Sequence, residues 1–285
     1  MNKKLIKLVL VTIISTALII PISVFAETET KANDDISTGA ALNDPNYIQN
    51  EEYYNSLEEK RDKQTEREEQ AFQKKQAMSK VAAKTNEHYT ISVKYNKQQY
   101  SNFCGVAAGR QSLSFHKLKS GSSEKLPSQK HFGNTIGTLP NGGGTKSTFL
   151  ADGLNKYKYV YKFSGNPYIV GNIAKYSKPA VKLETRVKTT LRNKKTAPIL
   201  LTRTDLIEQY RGTKYRHYVT VSGYDKNADE FRLVDPNHHT EFTKGGTYWS
   251  KLKTTVSKKG VARAVYEADK ETKGSNPVMV LVILH

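Results

Sequence analysis

The chain has 285 residues, with 45 Lys and Arg against 27 Asp and Glu, so its formal net charge is +18. This length allows one domain with a sizeable core and some additional segments. The single cysteine, Cys104, excludes an internal disulfide and a multi-cysteine zinc site. An arbitrary lone cysteine is more often an inert core residue than a reactive one, so its sequence context has to decide its role.

The N-terminus has the pattern of a secretory signal peptide. Residues 1–7 are basic, residues 8–25 carry no charge and are mostly apolar, and Val24-Phe25-Ala26 fits the small-x-small pattern of a signal peptidase site. We therefore predict a signal peptide over residues 1–26 and a secreted protein, either released or associated with the cell wall. The alternative is an uncleaved anchor, because an apolar run of this length can nearly span a bilayer.

The next segment is acidic, with 9 Lys and Arg against 14 Asp and Glu in residues 27–90. Residues 27–49 are polar and predict a flexible linker. Residues 50–90 begin with a stretch rich in Glu, Lys, Arg, Gln and Ala and poor in apolar residues, which predicts a charged helical arm exposed to solvent. Its charge is opposite to that of the following domain, so the alternative is a pro-segment docked on that domain.

Residues 91–285 predict one domain with an α+β fold. Helical patterns come first and strand patterns cluster later, which favours α+β over a wound parallel sheet. The predicted elements are helices over 147–157 and 181–194 and strands over 197–202, 215–222, 230–235 and 278–284.

The domain is strongly basic, with 33 Lys and Arg against 13 Asp and Glu in residues 91–285. This balance predicts contact with an anionic partner such as a cell-wall polymer or a membrane surface. The basic residues are scattered without interleaved aromatics, which argues against specific nucleic-acid binding. The glycine run over 141–145 predicts a flexible loop, with a substrate-binding rim or a self-cleavage site as alternatives.

Cys104 lies in a context that favours reactivity. The small residues that follow it predict a tightly packed helix starting at the cysteine. Backbone N–H groups and the positive end of the helix dipole at that position favour the thiolate. Gln98, six residues earlier, is a neutral donor that can reach the oxyanion formed when a thiolate attacks a carbonyl.

His217 and Asp235 fall on two strands separated by turn-forming residues. If the hairpin folds about Lys226, the numbers of directly paired residues add up to 452, which places His217 opposite Asp235 on one face. The carboxylate is then positioned to accept the Nδ1 proton of His217 and to stabilise the imidazolium. Cys104, His217 and Asp235 are therefore the predicted catalytic residues, whereas Gln98 taken alone fits a solvated loop residue better than an oxyanion donor.

The order Gln-x5-Cys-Gly, His-Tyr-Val, Gly-Tyr-Asp and Val-Asp-Pro resembles the papain-like cysteine peptidases, and within them the bacteriocin-processing (double-glycine) peptidases and their secreted relatives. The resemblance spans residues 91–285. It implies a papain-like fold, with the nucleophile helix in an N-terminal helical part followed by a C-terminal antiparallel sheet. It implies that Cys104 is the nucleophile, that His217 is the base oriented by Asp235, and that Gln98 builds the oxyanion hole. It also implies peptide or protein substrates and no cofactor or metal.

Two departures from the family pattern bear on the substrate. Val106 stands where the family often has proline, and the membrane spans and ATPase of transporter-linked members are not seen in the sequence. The second departure argues against leader-peptide processing.

Two other functions remain as alternatives: a peptidoglycan hydrolase of the Cys-His type, and a non-catalytic binding module on the cell surface. A metal site at His238-His239 is not expected, because adjacent residues of a strand point to opposite faces.

Overall fold

The computed structural model describes residues 39–78, 87–237, 246–253, 255 and 258–282, which all belong to one structural unit. The predicted signal peptide, residues 27–38 of the predicted linker and the His238-His239 pair lie outside these residues. No helix within the described ranges is long and apolar enough to cross a membrane.

Seven helices can be followed in the described parts of the chain. They are α1 (Pro45–Gln49), α2 (Glu51–Met78), α3 (Cys104–Ser120), α4 (Gln129–Thr135), α5 (Ser147–Asn155), α6 (Pro179–Arg192) and α7 (Val261–Glu271). Two short 3-10 turns, Thr204–Leu206 and Glu208–Tyr210, follow the third strand.

Within the described ranges, seven strands form one sheet. They are β1 (His88–Thr90), β2 (Tyr168–Gly171), β3 (Ile199–Arg203), β4 (Arg216–Asp225), β5 (Glu230–Asp235), β6 (Gly246–Lys251) and β7 (Met279–Val282). Their order is β2-β7-β3-β4-β5-β6, with β1 paired to the far end of β4. Each of these pairings is antiparallel, and the helical part around α3 precedes most of the sheet, so the predicted α+β fold is confirmed.

The centre of the fold is β4, which is buried along almost its whole length. Helix α3, which begins at Cys104, packs against it, and the Thr220 hydroxyl donates to the Ala108 carbonyl across that interface at 3.1 Å. Glycine in α3 also allows a close approach to α4, because a Cβ at Gly109 would lie 2.5 Å from the Phe132 ring. The small residues after Cys104 therefore let the helix sit directly on its neighbours.

The segment preceding the domain differs from the flexible linker and solvated arm predicted for it. Residues 39 and 40 are buried, and Ala40 forms an isolated parallel bridge with Thr145. Helix α1 follows, with the Asp44 side chain accepting from the Tyr47 N–H at its start. Helix α2 then packs against β2 and α6 instead of standing in solvent. The predicted arm lacks an apolar stripe but docks largely through charged side chains, so hydrophobic periodicity does not reveal the contact.

Arg186 of α6 is the anchor for α2. Its guanidinium is fully buried and lies 2.8 Å from both Glu58 and Asp62, two acidic residues one turn apart on α2. Burial alone would raise the pKa of Asp62, but the hydrogen bond and charge of Arg186 hold that pKa below its usual range. A buried cation satisfied by two carboxylates thus replaces the apolar contact that a helix normally makes.

Candidate functional site

Cys104 is the first residue of α3, and its side chain is fully buried. The residue before it, Phe103, makes no side-chain cap hydrogen bond, so the first amide groups of the helix are not capped in that way. A Cβ at Gly105 would lie 2.6 Å from the Thr145 side chain. Glycine directly after the cysteine therefore allows Thr145 to lie close to the start of α3.

His217 and Asp235 come together as a buried pair. The His217 Nε2 atom lies 2.9 Å from Asp235 Oδ1, and both side chains are almost completely enclosed. The sequence prediction that the carboxylate holds Nδ1 is wrong. With Nε2 on Asp235, Nδ1 is the ring nitrogen left for Cys104, which lies close enough to contribute to the raised pKa of His217.

The predicted register is also wrong, and a β-bulge explains why the pair still forms. The hairpin turns over residues 226–229, with Asp225 opposite Glu230, and the register shifts between Val221 and Gly223. Beyond the bulge Thr220 faces Val234, so continuing the register places Asp235 opposite Val219 and two residues from His217. Without the extra residue the two side chains would project from opposite faces, since side chains alternate along a strand.

The Asp235 carboxylate accepts four hydrogen bonds. One comes from His217, two from the hydroxyls of Tyr210 and Tyr248 at 2.7 and 2.6 Å, and one from the Asn237 backbone N–H at 2.9 Å. Burial would raise the pKa of Asp235, but the His217 charge and the hydrogen bonds of His217 and the tyrosines lower it. The carboxylate is thus held as an anion inside the fold.

The Asp235 anion sets the pKa of His217. Burial disfavours the imidazolium, but the charge and hydrogen bond of Asp235 and the contact with Cys104 outweigh it and raise the pKa of His217 to about 10. At neutral pH the imidazolium is therefore the favoured form of the ring beside the thiol. Such a site can store a proton next to a sulfur nucleophile and deliver it to a leaving group.

Gln98 lies at the same site and is 3 % exposed. Its backbone N–H donates to the carbonyl of Pro236, the residue after Asp235, at 2.8 Å. Its side-chain Nε2 donates to the carbonyls of Tyr100 and Ser101 at 3.0 and 2.9 Å. The structure therefore brings Gln98 to the site, with both amide hydrogens held by the backbone that leads to Cys104.

A thiol beside an imidazole that a buried carboxylate holds is the arrangement of a cysteine hydrolase. Residues 90–273 match the sequence model of the Peptidase_C39 like family, and the chain belongs to that family. It is a cysteine peptidase, a hydrolase of the C39 type.

Among solved structures, xylellain, a cysteine protease from Xylella fastidiosa, superposes with a TM-score of 0.44 and 10% sequence identity, covering 70% of this chain and 86% of that chain. At that level of likeness the family assignment rests on the sequence match. No curated protein matches the sequence.

Sequence reasoning missed the two tyrosines on Asp235. Tyr248 lies on β6, a strand that the sequence argument did not predict, and Tyr210 lies in a 3-10 turn. Nothing in their local sequence marks them. It also missed the contribution of residues 39–41, which lie against the start of α3 and which composition placed in a linker.

Proposed function

We propose that this peptidase hydrolyses peptide bonds with Cys104 as nucleophile, His217 as general base and acid, and Asp235 as the group that orients and charges the histidine. The observation that carries the proposal is the His217–Asp235 pair at 2.9 Å beside Cys104. The family match supports peptide or protein as the substrate class.

The proposed reaction needs only groups of this chain and water. In the reactive form of the pair, His217 Nδ1 carries the proton that Cys104 has given up, and the Cys104 thiolate attacks the amide carbonyl to form a tetrahedral oxyanion. His217 then protonates the leaving amine, which breaks the C–N bond and leaves a thioester. Water, deprotonated by His217, attacks the thioester, which releases the acid product and restores the Cys104 thiolate beside the protonated His217.

The oxyanion is proposed to bind to the Cys104 backbone N–H and to Gln98. The uncapped start of α3 supports the first donor. Gln98 Nε2 carries two hydrogens, and both lie on backbone carbonyls in this state. When substrate binds, Gln98 Nε2 has to give up one of these two bonds in order to donate to the oxyanion. Gln98 therefore acts as an oxyanion donor only in the complex with substrate.

The test is cleavage of a diverse peptide library by the full-length chain under reducing conditions, with products read by mass spectrometry. Cys104→Ala and His217→Ala are expected to abolish cleavage, whereas the exposed His131→Ala is the matched control and retains it. Cleavage that survives Cys104→Ala contradicts the proposal. Release of fragments from purified peptidoglycan, with no peptide cut, would favour the cell-wall hydrolase instead.

Gln98 and its neighbour Gln99 provide a matched pair, because Gln98 is buried at the site and Gln99 is exposed. Loss of one oxyanion donor lowers kcat by about 10²- to 10³-fold. Gln98→Ala is therefore expected to lower kcat by roughly that factor with little change in KM, and Gln99→Ala to behave as wild type. Equal kinetics for the two variants would remove Gln98 from the oxyanion site.

We also propose that the peptidase is secreted and held at an anionic surface by its basic domain. The hydrophobic N-terminal run and the excess of 33 Lys and Arg over 13 Asp and Glu in residues 91–285 support this. Binding to anionic wall polymer is expected to fall steeply as salt increases. Retention that does not change with salt would contradict an electrostatic attachment.

A further inference from the structure

The Cys104 side chain has no exposed surface in this structure. A peptide carbonyl has to approach a cysteine nucleophile to about van der Waals distance before it can be attacked. Some part of the chain must therefore move before the proposed reaction can start. The contacts around Cys104 identify the segment of the chain that has to move.

Residues 39–41, here called the cleft segment, lie between elements that flank the catalytic residues. Gly39 lies against the backbone of Asn102, two residues before Cys104. The Thr145 N–H donates to the Gly39 carbonyl at 2.7 Å, and the Ala41 N–H donates to the Thr145 carbonyl at 3.1 Å. Thr145 itself faces Gly105, directly after the nucleophile.

The far end of the cleft segment is held by two side chains. The Ala41 carbonyl accepts from Asn276 Nδ2 at 2.7 Å and from Arg216 Nη2 at 3.2 Å. Arg216 immediately precedes His217, and Asn276 is fully buried. The segment is thus bound by its backbone, through donors and acceptors that do not depend on its own side chains.

This mode of binding is the one by which an extended peptide is recognised at a strand edge, where main-chain hydrogen bonds give the affinity. We propose that the cleft segment occupies the peptide-binding cleft in place of substrate and keeps the enzyme latent until it is displaced. Substrate would then bind the Thr145 main chain and the Asn276 and Arg216 donors. This inference rests on the proposed function.

Gly39 is the residue of the cleft segment that least tolerates a side chain. Its φ is +100°, and a Cβ built on it would lie 2.4 Å from the Asn102 carbonyl oxygen and 2.5 Å from the carbonyl carbon. A backbone conformation of this kind strains any residue with a side chain. The obstruction is main chain, so no side-chain rotation relieves it. A substitution at Gly39 therefore expels the segment.

The anchor that follows the segment allows it to leave without unfolding the protein. The fully buried Asp44 carboxylate accepts from the Thr148 N–H at 2.8 Å and starts α1. Helix α2 is held separately by Arg186. The chain before Asp44 can therefore swing out while both helices stay in place.

The experiment compares full-length wild type, Gly39→Val and Leu42→Val. Leu42 is 44% exposed and lies just outside the cleft segment, so it provides the matched control for a β-branched substitution. Two rates are measured under reducing conditions: alkylation of Cys104 by iodoacetamide, and cleavage of peptide. Thermal unfolding of each variant shows that it is folded.

Gly39→Val is expected to raise both rates by about tenfold or more, because the observed rate scales with the fraction of molecules in the open state. Leu42→Val is expected to match wild type. A synthetic peptide covering residues 36–46, added to Gly39→Val, is expected to restore inhibition. Equal rates in folded wild type and Gly39→Val overturn the latency.

The two readouts separate this inference from the proposed function. Faster alkylation of Gly39→Val without cleavage of any peptide leaves the latency standing and overturns the proposed peptidase chemistry. If wild type and Gly39→Val cleave peptide at the same rate and Cys104→Ala does not cleave it, the proposed peptidase chemistry stands and the latency is overturned. Faster alkylation that the added peptide does not slow would show that the segment does not occupy the cleft by its own affinity.

Discussion

At the scale of single residues, Asp235 sets the charge of the proposed catalytic histidine. Replacing it by asparagine keeps the shape and removes the anion. Burial then dominates, so the pKa of His217 is expected to fall from about 10 to below its ordinary value of 6.5. Loss of the oriented base is expected to lower kcat/KM by about 10²- to 10⁴-fold. The pKa is measured by NMR titration and the rate by peptide cleavage.

The matched control is Asp225→Asn in the same hairpin. Asp225 also pairs with a histidine, His88, at 2.9 Å, but that pair is exposed and remote from Cys104. Asp225→Asn is therefore expected to leave the His217 titration and the activity unchanged. A His217 pKa that stays near 10 in Asp235→Asn would show that another group supplies the charge.

The tyrosines on Asp235 are expected to act through that carboxylate. Tyr248→Phe removes one of its four donors, and a hydrogen bond to a charged group contributes about 1.5–3 kcal/mol. The pKa of Asp235 should rise, so the acid limb of the kcat/KM profile should move to higher pH and the plateau should fall about tenfold. Tyr266→Phe on α7 is the control. A lower plateau with an unmoved acid limb would indicate a packing effect only.

Residue types and order were enough to predict Cys104, His217, Asp235 and Gln98 as neighbours, and the structure brings all four to one site. The details of their contacts were not predictable. The ring nitrogen that faces Asp235 and the donors from Tyr210 and Tyr248 depend on tertiary positions. Local sequence carries no information about such contacts.

At the scale of elements, periodicity predicted the strands whose apolar runs are long, and it predicted α5 and α6 within about two residues. It missed the short elements β1, β2 and α4, and also β6 and the 11-residue helix α7. It also missed the bulge between Val221 and Gly223, because a bulge is specified by how two strands pair. Reading the hairpin without it gives the wrong register.

The docking of α2 gives a prediction at the same scale. Removing one partner of a buried ion pair costs about 3–5 kcal/mol, because the remaining charge is left uncompensated. Arg186→Met leaves Glu58 and Asp62 with only the more exposed Lys175 and Lys182, at 2.7 and 3.2 Å, so it is expected to lower the free energy of unfolding by up to about that amount. Urea unfolding measures this change.

The control is Arg263→Met on α7, where Arg263 and Glu267 form a partly exposed i,i+4 pair at 2.7 Å. Pairs of that kind contribute about 0–1 kcal/mol. Similar losses for the two variants would mean that the buried cluster does not hold α2 in place. A large loss for Arg186→Met alone would show that α2 is part of the folded domain instead of a detachable arm.

At the scale of the whole molecule, the buried charges limit stability from both sides of the pH range. The pKa of His217 is raised to about 10 from 6.5, so its contribution is complete below about pH 6.5 and is lost as pH rises through about 10. The pKa values of Asp62 and Asp235 are lowered, so their contributions are present above about pH 4 and are lost as pH falls through the folded-state values. The raised pKa of His217 and the lowered pKa of Asp235 both reflect the same ion pair, so its contribution to stability is counted once.

The free energy of unfolding is therefore expected to reach its plateau between about pH 4 and 6.5 and to decline toward pH 10. Chemical denaturation at a series of pH values measures the profile. Asp235→Asn should flatten the alkaline decline, since His217 then titrates no higher in the folded state than in the unfolded state. Asp225→Asn should keep it. An alkaline decline that is unchanged in Asp235→Asn would assign it to other groups and would remove the charged His217–Asp235 pair as a source of stability.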